Sequence, residues 1–249
     1  MRPGGAGAGI DLAAPAPQRF VAMSLPQPRV ELRRIGREGQ PLVVIDGFSG
    51  QPERLLEAAR QAEYQPGGAS YPGIRAWCEP SYLDLRRDLM MQVMQRVFGI
   101  RRGISCDVST FSLVTTPPAD LQPLQRIPHY DNADAELIAV MHYLQGPESG
   151  GTAFYRHNRT GFETVTPERE RAYNIGLAED ERAYGMPDAA YWHGDGDRFA
   201  MIEEVEARPD RMILYRGRAL HSGVIPAAAS LSADPREGRV TINMFLRGR

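Results

Sequence analysis

Arg239-Val240-Thr241-Ile242-Asn243-Met244-Phe245-Leu246 alternates without a break between two kinds of side chain. In an extended strand, successive residues face opposite sides of the sheet. Arg239, Thr241, Asn243 and Phe245 therefore share one face, and Val240, Ile242, Met244 and Leu246 share the other. The second face is a packing surface. The first is mainly polar and opens on a cation, which suits the wall of a hollow, ligand-holding barrel better than a packed apolar core. A guanidinium on such a wall offers a planar fork to a carboxylate.

Working outward, Met212-Ile213-Leu214-Tyr215 is a compact apolar strand, followed by a turn at Gly217 and then Leu220-His221-Ser222-Gly223. From Val108 onward, short alternating segments punctuated by Gly and Pro predict a β-sandwich or jelly roll, with Pro167 to Asp197 as a polar insert. Upstream, Pro41 to Asp46 reads as a strand running into a turn at Gly47 to Gly50. Helices are expected over Pro52–Tyr64 and Tyr82–Phe98; in the second, Leu85, Leu89, Met90, Val93 and Val97 form an apolar stripe. Met90, Met91 and Met94 belong with that packing rather than with a metal. The sequence contains no internal repeat. The expected class is mainly β with flanking helices.

His129-Tyr130-Asp131 supplies the chemistry. Residues i and i+2 of an extended segment point the same way, so His129 and Asp131 aim an imidazole and a carboxylate at one place while Tyr130 turns away. A lone His-x-Asp is common by chance and usually marks a solvated surface pair. Here it follows Arg126-Ile127-Pro128 at a turn-rich strand exit, and His221 stands at a second strand edge. Two His and one carboxylate with open positions form the facial triad of non-haem Fe(II) oxygenases.

At these residues the chain resembles the 2-oxoglutarate/Fe(II)-dependent dioxygenases, especially the prolyl-4-hydroxylase-like branch. The resemblance extends to Val140-Met141-His142-Tyr143-Leu144-Gln145 and to Gly150-Gly151-Thr152-Ala153-Phe154, with Gln145 where the family has Asn and Thr152 directly after the glycines. Val43 to Phe48 is similar to the start of such domains, and Tyr71-Pro72-Gly73-Ile74-Arg75-Ala76 resembles a bacterial subgroup of oxygenase-like proteins. The similarity runs from about Leu42 to the C-terminus and implies their fold, a cupin-like double-stranded β-helix (jelly roll). It implies Fe(II) on His129, Asp131 and His221, with 2-oxoglutarate as cosubstrate. It assigns Arg239 to the far carboxylate of that cosubstrate and Tyr143 to a supporting contact. The implied reaction consumes O2, releases succinate and CO2, and hydroxylates a small molecule or an amino-acid side chain. Arg239 lies eighteen positions after His221, a long spacing filled by Ala227 to Glu237, and Arg236 in that turn is its nearest rival.

Other classes stay open at this level. A cupin-type metal enzyme that does not use 2-oxoglutarate would give Arg239 no role, and a non-catalytic binding relative could keep the fold. Composition narrows partners more than chemistry. The 249 residues carry a formal net charge of −2, so nothing favours nucleic acid or an anionic membrane surface. No apolar run has the length of a transmembrane helix. Two cysteines, Cys78 and Cys106, make no disulfide framework and fit a reducing cytoplasm. Residues 1–28, rich in Gly, Ala and Pro, are expected to be a flexible tail, with Met23 an alternative start; residues 29–249 are expected to form one oxygenase domain with a helical part at about 50–100.

Four further readings were open to test against the structure. His142 shares a strand with Tyr143 but faces the other way, which favours a structural role. His157 and His193 read as ordinary surface histidines. Trp192, with Tyr191 and His193, is either an aromatic wall over the pocket or a buried anchor for the insert. Arg75, in a Pro-Gly turn before Trp77, is either a surface cap or a ligand for an acidic group.

Overall fold

The computed structural model describes residues 26–249. Most of the expected N-terminal tail, and Met23, lie outside the described residues. Pro52 in the first turn and an apolar stripe set helix α1 at Pro52–Gln61, with Leu55 and Ala59 buried. It ends three residues before Tyr64, whose hydroxyl donates back to the Ala59 carbonyl at 3.0 Å. The second expected helix is divided. A 3-10 turn spans Pro80–Arg86, started by Glu79, whose carboxylate accepts from the Ser81 N–H at 3.2 Å, and α2 follows at Arg87–Arg96.

Antiparallel strands do the rest. Strands β1 (Arg29–Ile35), β2 (Gln40–Asp46), β3 (Gln65–Pro66), β4 (Gly73–Trp77), β5 (Ile104–Val114), β6 (Leu137–Tyr143), β9 (Arg211–Arg216) and β11 (Val240–Gly248) form one sheet in the order β1-β2-β9-β6-β11-β5-β4-β3. Strands β7 (Gly151–His157), β8 (Phe199–Glu206) and β10 (His221–Val224) form a second, in the order β10-β7-β8. An isolated antiparallel bridge between His129 and His221 adds a fourth rung beside β10. The central strands β5-β11-β6-β9 thus face the His129 segment, β10, β7 and β8. The chain crosses back and forth between the two sheets, from β6 to β7 and β8, back to β9, over to β10 and back to β11, which is the double-stranded β-helix. Strand β1 was not anticipated; it pairs only with β2 and lies at the sheet's edge.

The alternation of β11 sorts the two faces of the large sheet. Val240, Ile242, Met244 and Leu246 join Phe111, Leu113, Ile138, Val140 and Leu214 in one apolar layer under α1 and α2, with Met90 and Met94 inside it. Full burial of side chains of this size contributes about 1.5–3 kcal/mol each. The opposite face looks into the barrel. There Ala139, Tyr143, Ile213 and Tyr215 pack on Phe154 and Val205 of the small sheet, which closes the far end. The near end is left to Arg75, Thr110, Ser112, Thr241 and Asn243, aligned across β4, β5 and β11 by their register.

The insert departs from expectation. A helix, α3 (Glu170–Tyr184), occupies its first half and is docked: Tyr173 is buried, and Gly176 abuts His157 so closely that an added Cβ would lie 2.9 Å from the ring. His157 is therefore not a surface residue. It is fully buried, with Nε2 2.7 Å from Asp180 Oδ2 and Nδ1 2.8 Å from Thr160 Oγ1. Its period-two position in β7 points it to the outer side of the small sheet, where the unpredicted helix covers it. His193 is exposed and pairs with Glu204 at 3.0 Å, as expected of a surface histidine.

Candidate metal and cosubstrate site

Two segments distant in sequence deliver the triad. His129 is held by two backbone hydrogen bonds to His221, each 2.8 Å, which bring the imidazoles to a 4.5 Å centroid separation. Asp131 is fixed by its own N–H, which donates to the Gly217 carbonyl at 2.7 Å. His221 leads β10, stacked edgewise on Tyr215 with centroids 4.9 Å apart. One ligand atom from each residue falls within 4.8 Å of the other two. His129 Nε2 is 4.0 Å from Asp131 Oδ1, and His221 Nε2 is 3.8 Å from Asp131 Oδ2. These separations are beyond hydrogen bonding, yet one cation with bonds of about 2.0–2.2 Å could touch all three.

The chemistry of the donors fits such an ion. His221 Nδ1 lies 2.9 Å from the Ala219 carbonyl, so Nδ1 carries the proton and Nε2 presents a lone pair. Asp131 Oδ2 is buried without any hydrogen-bond partner among the described residues. A carboxylate oxygen orphaned in this way is costly unless a cation satisfies it. Burial lifts Asp131 to about 6, against which the charges of His129 and Arg75 work. Burial pushes His221 down to about 4, with the Ala219 hydrogen bond opposing. His129 is lowered too, by burial and then by His221, although its ring is about half-exposed at the mouth. At neutral pH both imidazoles are thus neutral and the carboxylate is ionised, the protonation state that binds a divalent cation.

The second half of the site is a buried cation. Arg239 precedes the first residue of β11 and is 4% exposed. Its Nε donates to the Ser149 carbonyl at 2.5 Å and Nη2 to the Gly151 carbonyl at 3.4 Å; among the described residues Nη1 has no such partner. Gly150, between those two carbonyls, has φ 91°, and a Cβ there would lie 1.9 Å from the Val224 carbonyl. Only glycine lets this turn approach β10 and present its carbonyls to Arg239. Burial disfavours the Arg239 charge, and the hydroxyls of Tyr71, Tyr143 and Tyr191 counter it. Arg236, the rival, is an exposed turn residue facing Asp234 at 3.6 Å.

The two halves lie on one interior face. Tyr215 meets the His221 ring edgewise and belongs to the same buried cluster as Tyr143, and Tyr143 is paired in register with Thr241, two residues beyond Arg239. Tyr143 donates to Thr152 Oγ1 at 2.7 Å, tying its ring to the turn that holds Arg239. His142, on the other face of β6, is buried between Tyr82 at 3.2 Å and Asp210 at 2.9 Å, the structural position its strand phase predicts. Tyr191 and Trp192 divide the two readings between them. Trp192 anchors the insert against Phe199, while Tyr191 donates to the Thr116 carbonyl at 2.7 Å and reaches the Arg239 surroundings. Sequence reasoning missed Tyr71 and Tyr191 as neighbours of Arg239. Both lie in loops, where no periodicity reports direction.

Residues 26–246 match the family of unknown function DUF6445. The chain belongs to DUF6445. No curated protein matches it. Among solved structures, a Pseudomonas putida prolyl-4-hydroxylase is similar at 15% identity and a TM-score of 0.49, over 85% of this chain and 95% of that one. The non-heme alpha ketoglutarate dependent epimerase SnoN from nogalamycin biosynthesis gives 16% and 0.47, over 84% and 79%. The viral collagen prolyl hydroxylase vCPH from Paramecium Bursaria Chlorella virus-1 gives 13% and 0.46, over 85% and 98%. Identities this low transfer neither substrate nor reaction to this DUF6445 member.

Proposed function

We propose that this protein is an Fe(II)- and 2-oxoglutarate-dependent oxygenase that hydroxylates a small molecule or an amino-acid side chain. One observation carries the reading: a converging His129-Asp131-His221 set with an orphaned carboxylate oxygen, in a barrel whose interior face also carries the buried Arg239. His129, Asp131 and His221 would hold the iron, and Arg239 the far carboxylate of 2-oxoglutarate. Bound there, iron and cosubstrate would supply the activation of O2 and the oxidation of a C–H bond. The chain's own part is placement. The Ala219 carbonyl keeps the His221 lone pair directed inward, and the Ser149 and Gly151 carbonyls hold the Arg239 fork before any ligand arrives. Tyr143, Tyr71 and Tyr191 line the space between with few mobile groups.

A second reading has one observation in its favour. Arg239 already satisfies two carbonyls, as a purely structural arginine would, and a cupin-type metal enzyme would need nothing more of it. Anaerobic addition of Fe(II) and then 2-oxoglutarate separates the two. A weak visible charge-transfer band and metal-dependent consumption of 2-oxoglutarate are expected. Iron binding with no band and no consumption would move the cupin-type reading ahead.

The insert contributes unequally to closure. Helix α3 is clamped by Asp180, which accepts from His157 and from Arg159 at 2.6 Å, whereas the residues from Gly185 to Asp197 carry Tyr191 on an irregular segment. Hydrogen exchange with and without metal and 2-oxoglutarate should show α3 equally protected in both states and residues 185–197 gaining protection on binding. A helix that loosens without ligand would contradict this division.

A further inference from the structure

Arg75 lies on the same interior face with its Nε buried and unpartnered. Strand β4 places it opposite Ser112 of β5, on the interior face, while Ile74 and Ala76 pack into the outer apolar layer. Gly73 lets β4 come this close: a Cβ there would lie 2.0 Å from the Leu113 carbonyl. The guanidinium lies over the Tyr71 ring, 4.0 Å from its centroid, which fixes its plane. Ser112 is in turn opposite Thr241 of β11, and Thr241 is opposite Tyr143 of β6, so Arg75 shares one row across the interior face with the residues beside Arg239. Yet among the described residues Arg75 makes no hydrogen bond or ion pair, and its Nε is fully buried and unpartnered. Two residues on, at the same face, the buried indole N–H of Trp77 is unpartnered too. A desolvated guanidinium and an indole N–H on one strand face are donors only. Leaving them unsatisfied costs free energy that an acceptor from outside would recover.

Charge counting points the same way, and here the inference rests on the proposed function. A divalent metal, Arg75 and Arg239 against the single carboxylate Asp131 leave the cavity three charges positive. Doubly ionised 2-oxoglutarate removes two of them. One positive charge is left, on the side where Arg75 lies.

We infer that Arg75, with the Trp77 indole N–H, anchors a carboxylate of the substrate, and that this enzyme acts on an acidic small molecule such as a free amino acid or another carboxylic acid. Arg75 grips the carboxylate end, Tyr71 keeps the guanidinium flat, and the remainder of the substrate extends toward the triad. A phosphate monoester would pair with the same fork, but its charge of about −1.5 to −2 at pH 7 exceeds the one positive charge left, which a carboxylate matches.

The full chain loaded with Co(II) and saturating 2-oxoglutarate provides the test. It is titrated with acetate, benzoate and a set of free L-amino acids, each beside its primary amide. Melting temperature and the visible Co(II) spectrum report binding, and the same titrations are repeated on the metal-free protein. At least one acid should bind tenfold or more tightly than its amide. Arg75→Gln should erase that preference while the affinity for 2-oxoglutarate stays within twofold, and Arg75→Lys should restore part of it. A circular dichroism spectrum and melting temperature confirm that each variant is folded. Acids and amides binding alike in the wild-type protein would overturn the inference. So would Arg75→Gln weakening 2-oxoglutarate tenfold, because Arg75 would then belong to the cosubstrate. Failure of the wild-type protein to bind Co(II) or 2-oxoglutarate would sink the proposed function instead, while the acid-over-amide preference of the metal-free protein would still judge Arg75.

Discussion

Asp131→Asn should make the metal-free protein more stable at neutral pH and, at the same time, remove its response to divalent metal. The reason is the raised acidity constant of a buried, orphaned carboxylate. Asp131 ionises at about 6 in the folded chain, against 3.8 for an ordinary aspartate. A folded-state value above the unfolded one means that the folded state binds the proton more tightly. The ionised carboxylate therefore destabilises the fold, not at all below about pH 4, increasingly between pH 4 and 6, and fully above 6. Two units correspond to about 3 kcal/mol. Neighbouring imidazoles and slight solvent access moderate this, so about 1–3 kcal/mol is expected, or roughly 2–10 °C in melting temperature for a chain of this size. Asparagine removes the charge at nearly constant shape. The gain should be present at pH 7–8 and vanish near pH 4. Wild-type protein should be stabilised by Co(II) or anaerobic Fe(II), by about 2.7 kcal/mol at a hundredfold excess over the dissociation constant, and the variant hardly at all. His221→Ala is the complement. It too should lose the metal response, but without the gain in stability, since it empties a packed position beside Tyr215 and leaves the Ala219 carbonyl without its donor. Differential scanning calorimetry across pH 4–8, with and without metal, reads both variants. An Asp131→Asn protein that is less stable at pH 7 and still gains stability from metal would show that the three residues do not form a cation site.

Much of this arrangement was legible in the sequence because strands encode direction. The period of two in β11 divided its residues correctly between the layer under α1 and α2 and the barrel interior, and the same rule separated His142 from Tyr143. His129 and Asp131 were paired by the same logic, although the structure holds them by a single bridge and a bend rather than by a strand. What escaped was set by contacts between distant segments. His157 looked like a surface residue because nothing local announces that α3, more than ten residues later, folds back over it. Tyr71 and Tyr191 sit in loops, and their convergence on Arg239 depends on where β4 and the end of the insert are carried by the rest of the fold. Strand β1 alternates polar and apolar residues too evenly exposed to announce a buried face, and it is in fact an edge strand. Periodicity reports which way a residue points, and tertiary packing decides what it meets there.

Arg239→Ala should raise the dissociation constant for 2-oxoglutarate by two orders of magnitude or more while leaving metal binding intact. The guanidinium is buried, its Nε and Nη2 are committed to the Ser149 and Gly151 carbonyls, and Nη1 is uncommitted among the described residues. A carboxylate arriving beside it would make a desolvated, charge-assisted contact, and removing one partner of such a buried pair costs about 3–5 kcal/mol. Each 1.4 kcal/mol is about tenfold in affinity, so the effect should exceed a hundredfold. Arg239→Lys keeps the charge but cannot reach two carbonyls and a ligand together, so it should recover only part of the loss. Losing the donors to Ser149 and Gly151 will also lower stability in the alanine variant by about 1–3 kcal/mol, and melting temperature measures that separately. Arg236→Ala should change neither property, because Arg236 is exposed and pairs with Asp234 at the surface. Isothermal titration of 2-oxoglutarate into the Co(II)-loaded, oxygen-free protein gives the numbers. If Arg236→Ala abolished cosubstrate binding and Arg239→Ala did not, the cosubstrate would lie outside the barrel, above the turn before β11. If neither mattered, the guanidinium would be a clasp for the Gly150 turn alone, and the metal site would serve a reaction without 2-oxoglutarate.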